Sequence, residues 1–234
     1  MNWVVNNLDL ILELSLLHLR LSLPPILIGL VIAIPLGWLA YRFKLTRGIV
    51  LTIAGLLYTI PSLALLVILP SVIGISALSE LNLTIALTIY AVAILASSVA
   101  DALASVDPAV RQSATALGFG SWRRFWAVEF PLAGPVILAG LRVAAVSTVS
   151  LVTVGILVGV QSLGYLFTNG LQRVIVEEVL AGVVMVMILA LLIDAALALI
   201  GRLLMPWAPR TGRASRRASR SAAPVHATPG EATS

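Results

Sequence analysis

The sequence is divided into long stretches that carry no charged side chain. None lies between Arg20 and Arg42, none from Gly48 to Ser79, and none between Glu80 and Asp101. A helix needs about 20 mostly apolar residues to cross the hydrocarbon of a bilayer, so these stretches predict spans at about 21–41, 49–69 and 81–100. Past a more polar stretch, two further apolar runs predict spans at about 135–160 and 179–202. The fourth contains Arg142 and the fifth Asp194. Composition agrees with lipid as the solvent: 11% of residues are charged and mean hydropathy is +1.07, against about 25% charged in a soluble domain. The expected fold class is an all-α membrane protein with about five transmembrane helices, residues 20–203 forming the transmembrane domain.

Basic residues set the expected orientation. With the N-terminus outside, Arg42, Lys44, Arg47, Arg111, Arg123, Arg124 and the arginines from Arg202 onward all fall inside, as the positive-inside rule requires for an odd number of spans. The net charge of +5 therefore reports orientation, and no nucleic-acid partner is expected. Residues 1–20 lack the basic start of a signal peptide. They are expected to be retained as an interfacial segment anchored by Trp3. Residues 204–234 are expected to form a disordered basic cytoplasmic tail, able to attract anionic membrane lipid.

Several kinds of chemistry are missing. The chain has no Cys and two His, at 18 and 226, so thiolate and histidine-cluster metal sites are not expected. A P-loop needs G-x4-G-K-[ST], yet the single lysine, Lys44, is followed by Leu45. There is no H-E-x-x-H, no G-x-S-x-G and no pair of carboxylates within a span. No catalytic residue and no bound cofactor or metal is expected.

The segment 101–131, between the third and fourth spans, carries the clearest local signals. Asp107-Pro108 starts a helix, with Asp as cap and Pro at the first helical position. Gly118 stands where a left-handed residue would end it. Val110, Ala114 and Leu117 share one face of that helix. Ser121 is placed to cap a second short helix containing Trp122, Arg123, Arg124, Phe125 and Trp126, and Pro131 closes the segment. Two short helices tethered by spans on both sides would make either a stiff projection suited to transmitting force or a plain hairpin lying on the membrane surface through Trp122 and Trp126.

This segment resembles the cytoplasmic motif of ABC importer permeases, E-A-A-x3-G-x9-I-x-L-P. The matching residues are Gln112, Ser113, Ala114, Gly118, Val128, Phe130 and Pro131, with both spacings kept, Gln replacing the leading Glu and Ser the first Ala. Over about 20–200 the chain is similar to the betaine, carnitine and choline permeases. The run Tyr58 to Leu65 (Y-T-I-P-S-L-A-L) and S-V-D-P-A before the motif favour that subgroup. The chain departs from its G-A-G-G-L-G at Gly159-Val160-Gln161-Ser162-Leu163-Gly164. The resemblance implies the type I ABC importer permease fold and an osmoprotectant such as glycine betaine, choline or carnitine as cargo. It also implies a separate ATP-binding subunit that carries ATP and Mg, a second permease, identical or paralogous, and an extracytoplasmic substrate-binding protein. The expected location is a bacterial cell membrane. A methionine or amino-acid importer permease is the nearer alternative, and a secondary transporter the more distant one.

Two further groups stand out within the spans. Tyr58, Thr59, Pro61 and Ser62 in span two, with Ser147, Thr148, Ser150 and Thr153 in span four, are candidates for the solute path. Tyr58 heads them because quaternary ammonium groups favour aromatic faces. The rival role for these hydroxyls is bonding to backbone carbonyls. Arg142 and Asp194 each lie roughly 12 Å from the inner boundary at 1.5 Å rise per residue. Isolated charges at that depth are costly, so an ion pair between them is expected.

Overall fold

A computed structural model of the chain describes residues 2–207. Every regular element among them is helical. Ten α-helices follow in order: α1 (Asn2–Asn6), α2 (Leu8–Arg42), α3 (Lys44–Thr59), α4 (Ser62–Ile73), α5 (Glu80–Ala104), α6 (Pro108–Ala116), α7 (Ser121–Arg124), α8 (Phe130–Val152), α9 (Gly164–Gln172) and α10 (Val176–Leu204). A π-helical turn (Phe125–Glu129) joins α7 to α8, and a 3-10 turn (Thr153–Val158) extends α8. Four helical stretches are long and apolar enough to cross a membrane, and α3 with α4 makes a fifth if the bent pair is one span.

The centre of the bundle is α5, which packs against α2, α3, α4 and α8. Its seam with α2 is made by small residues. Gly29, Ala33, Gly37 and Ala40 recur at helical spacing along α2, and a Cβ on Gly29 or Gly37 would fall 2.6 Å from the Ala91 Cβ or 2.5 Å from the Val99 Cβ. In lipid, helices associate through such close backbone approach because the apolar exterior offers no hydrophobic gain. By contrast α10 lies at the edge, against α8 and α9, with Leu191, Leu192, Leu199 and Leu203 exposed. That apolar flank suits lipid or another membrane subunit.

The expected interfacial segment at 1–20 is corrected. Residues 8–20 are the first part of the same unbroken helix as span one, and Ile11, Leu14, Ser15 and His18 are buried in the bundle. His18 is held by its Nε2, which donates to the Val149 carbonyl of α8 at 2.9 Å. At 1.5 Å per residue the 35 residues of α2 extend about 52 Å, well beyond a hydrocarbon core of about 30 Å. Polar residues on its outward face, Glu13 among them, therefore do not interrupt it.

Span two, expected over about 49–69 with Pro61 either kinking the helix or tolerated within it, is bent. It breaks at Ile60-Pro61, where α3 and α4 meet at 107°. Pro61 has no N–H to continue the ladder and biases Ile60 out of the helical region, and Ile60 has φ −65° and ψ 127°. The Ile60 carbonyl released by the break accepts a hydrogen bond from Tyr90 Oη of α5 at 2.5 Å. The Asn82 side chain, fully buried, fastens the other side by donating to the carbonyls of Leu66 and Ala77 at 2.9 and 3.0 Å.

Where the sequence departs from G-A-G-G-L-G, Ser162 supplies the local bonding. Its hydroxyl donates to the Val152 carbonyl at 3.3 Å and accepts from the Gly164 N–H at 3.1 Å. The tail expected from residue 204 lies outside the described residues from 208 onward.

Candidate functional site

The projection between α5 and α8 is built from local signals. Asp107 caps α6, its Oδ1 accepting from the Ala109 N–H at 2.8 Å, and Pro108 is the first helical residue. The helix ends at a left-handed Gly118 with φ +83°. There the Gly118 N–H reaches the Thr115 carbonyl at 3.0 Å and the Phe119 N–H the Ala114 carbonyl at 3.1 Å, the paired closure that satisfies the last carbonyls of a helix. The second short helix corrects one expectation. Gly120 occupies the cap position of α7 with no side-chain bond, and Ser121 is its first helical residue.

The motif residues divide between an outer and an inner face. Gln112, Ser113 and Gly118 are exposed, Ala114 is buried, and Val128, Phe130 and Pro131 are half-buried. Val110, Ala114 and Leu117 do not form a uniform buried stripe. Only Ala114 turns inward, while Leu117 is 78% exposed. Trp122, 67% exposed, and Trp126 continue the apolar surface. Exposed apolar side chains of this size, when they cluster, mark an interaction surface, and Trp122 and Trp126 stand 5.8 Å apart edge to face.

Beneath that surface the projection is fastened by residues that motif reasoning missed. Glu129, only 2% exposed, accepts from Arg124 Nε at 2.6 Å. Arg124 Nη1 also donates to Thr115 Oγ1 at 2.8 Å, tying the second helix back to α6. Arg111 Nη1 donates to the Tyr41 hydroxyl at the end of α2, with its guanidinium over the Tyr41 ring. Phe125 is buried against Trp38 of α2 at a ring separation of 6.0 Å and against Trp126 at 4.9 Å. A sequence signal existed for part of this: Glu129 is the sole acidic residue between Asp107 and Glu177, set among arginines. Arg47 of α3 meets Asp101 of α5 at 2.8 Å on the same side of the molecule.

No hydrogen bond joins the two groups expected to line a solute path among the described residues. Tyr58, 55% exposed, stands edge-on to Tyr90 at 6.4 Å, and Pro61 and Ser62 form the corner between α3 and α4. Thr59, Thr148 and Thr153 each donate to a carbonyl of the preceding turn at 2.6–2.8 Å, the ordinary fate of hydroxyls in membrane helices. Ser62, Ser147 and Ser150 make no such bond among the described residues, and Ser150 is exposed. Both groups sit on helices that pack against α5.

Arg142 and Asp194 are brought together. Arg142 Nε and Nη2 donate to Asp194 Oδ1 and Oδ2, both at 2.6 Å, the two-pronged geometry that planar guanidinium and carboxylate groups favour. Among the described residues no group of three or more His, Cys, Asp and Glu side chains could hold a metal ion.

Comparison with known proteins agrees with this architecture. The family described as the inner membrane component of binding-protein-dependent transport systems matches residues 26–207. The osmoprotectant import permease protein OsmW of Salmonella typhimurium is 31% identical over 196 residues, which cover 82% of this chain and 91% of that protein. The glycine betaine/carnitine/choline transport system permease protein OpuCB of Bacillus subtilis is 30% identical over 189 residues, covering 81% and 86%. Among solved structures, a chain of the MetNI methionine ABC transporter in an inward-facing conformation superposes with a TM-score of 0.76 at 22% identity. The match covers 85% of this chain and 98% of that one, and the two share the type I importer fold. With the helical bundle, the family match and the relatives in accord, this multi-pass membrane chain belongs to the family of inner membrane components of binding-protein-dependent transport systems, the permease subunits of ABC importers.

Proposed function

We propose that this permease forms half of the membrane path of an ATP-driven importer for a small osmoprotectant with a quaternary ammonium group, such as glycine betaine, choline or carnitine. The N-terminus faces outward and the elbow 101–131 faces the cytoplasm. ATP and Mg are held by a separate ATPase subunit, a second permease completes the path, and a separate extracytoplasmic protein delivers the solute.

The observation that carries this reading is the contrast within the elbow. Its outer face offers Leu117, Trp122 and Trp126 to a partner, while its base is fixed by the Arg124–Glu129 pair and the Phe125 ring cluster. A partner that grips such a face moves the spans attached to it, because little of the displacement is lost within the elbow. ATP binding would close the ATPase pair and carry the elbow along, reorienting the spans between outward and inward access. The substrate class is that of the relatives. It is supported by the exposed Tyr58 ring, which can receive a cation on its face, at the corner where α3 and α4 diverge.

The test is uptake of radiolabelled glycine betaine by proteoliposomes holding this chain with its ATPase and binding-protein partners. Leu117→Arg, which places a charge on the docking face, should abolish ATP-dependent uptake and leave the chain inserted at normal abundance. Uptake without any ATPase, or unchanged uptake by the variant, would overturn the reading.

A further inference from the structure

We propose that a cleft between the end of α2 and the elbow is a binding site for a phosphate group, carried by an acidic phospholipid of the adjoining leaflet. The cleft has a volume of about 220 Å³ and is lined by Arg42, Arg111 and Arg124 with Glu129, over the aromatic side chains of Trp38 and Tyr41. Three guanidinium groups and one carboxylate leave an excess of two positive charges. Glu129 is already committed to Arg124 through a 2.6 Å contact. Among the described residues, Arg42 and Arg111 have no carboxylate partner. Arg111 uses one nitrogen on the Tyr41 hydroxyl and keeps the rest of its donors, and Arg42 keeps all of its own.

Arginines stay charged at every physiological pH, and their planar donor sets match the oxygens of a phosphate. The Ser121 hydroxyl at the rim adds a neutral donor. The place favours lipid over a dissolved ion. Arg42 is the last residue of the long helix α2, and Trp38 and Tyr41 just before it are the residue types that sit at headgroup level. A headgroup bridging Arg42 to Arg111 would tie α2 to the elbow and stiffen the part that the ATPase grips. The site rests on the orientation given under the proposed function, since it places the cleft at the inner leaflet.

Native mass spectrometry of the full-length chain, released from mixed phosphatidylglycerol and phosphatidylcholine nanodiscs, tests the site. Phosphatidylglycerol should be retained in preference, and R42Q/R111Q should lose that preference roughly tenfold, since each arginine near an acidic headgroup contributes separately. R42K/R111K should keep most of it, which separates charge from misfolding, and Arg20→Gln, well before Arg42 in α2 and paired with Glu80, should keep all of it. Equal retention of both lipids by the wild type, or an unchanged preference in R42Q/R111Q, would overturn the proposal. Thermal stabilisation of the lipid-stripped chain by inorganic phosphate, lost in R42Q/R111Q and without a lipid preference, would keep the phosphate site and overturn lipid as its source. Glycine betaine uptake by the wild-type importer is scored alongside. Normal uptake with no lipid preference would count against the cleft alone.

Discussion

Arg142 of α8 and Asp194 of α10 face each other through two parallel contacts of 2.6 Å. They join the peripheral helix α10 to the bundle from within two apolar helices, a setting in which a lone charge is costly. The pair lies in part at the surface of the single chain, with side chains 41% and 26% exposed. It therefore also faces lipid, the path or the second permease.

Removing one partner should be worse than removing both. Asp194→Ala leaves a guanidinium without its counter-ion within a span and should destabilise the fold. The readout is a severalfold loss of folded chain in fluorescence-detected size exclusion. R142L/D194L should recover much of that loss. Equal yields for wild type and Asp194→Ala would show that the pair contributes little to stability.

Tyr90→Phe isolates the broken second span. It removes the hydroxyl that caps the Ile60 carbonyl at the bend while keeping the ring that packs on Tyr58. A carbonyl left unsatisfied away from water costs about 1–3 kcal/mol, so the unfolding midpoint in nanodiscs should fall. An unchanged midpoint would mean that another group or water satisfies the carbonyl.

Gly118 separates backbone shape from packing. A Cβ there would meet nothing within 4 Å, so Gly118→Ala carries only the conformational cost of the left-handed region, about 1–2 kcal/mol. Gly118→Asn should be milder still. Gly118→Pro cannot adopt φ +83° and loses the N–H that bonds the Thr115 carbonyl. Uptake should fall in the order Asn, Ala, Pro, the last abolishing transport at normal membrane abundance. Normal uptake by Gly118→Pro would remove the elbow from the transport cycle.

How much of this was legible in the sequence depended on whether the deciding signal was local. Asp107, Pro108 and Gly118 act on neighbouring amides and carbonyls, so α6 and its stop could be read directly. The charge-free runs marked the apolar helices because hydrocarbon length is an external ruler. The bend at Pro61 was not separable from a tolerated proline, since the packing of α3 and α4 on α5 and the Tyr90 hydroxyl that takes up the freed Ile60 carbonyl come from another helix. The continuity of α2 through residues 8–20 was hidden by Asp9, Glu13 and Arg20. Its buried face, with His18 against the Val149 carbonyl, exists only once α8 is packed. At the elbow, motif spacing placed the outer face, whereas Arg124, Glu129 and Tyr41 meet across separations that no periodicity reveals.

The position of the elbow relative to the bilayer is the most direct test, and the absence of any cysteine makes it clean. Leu117→Cys should react with a membrane-impermeant maleimide in inverted vesicles and stay unlabelled in intact cells. It should also become protected when the ATPase subunit is bound. Labelling of that cysteine from outside intact cells would contradict the account.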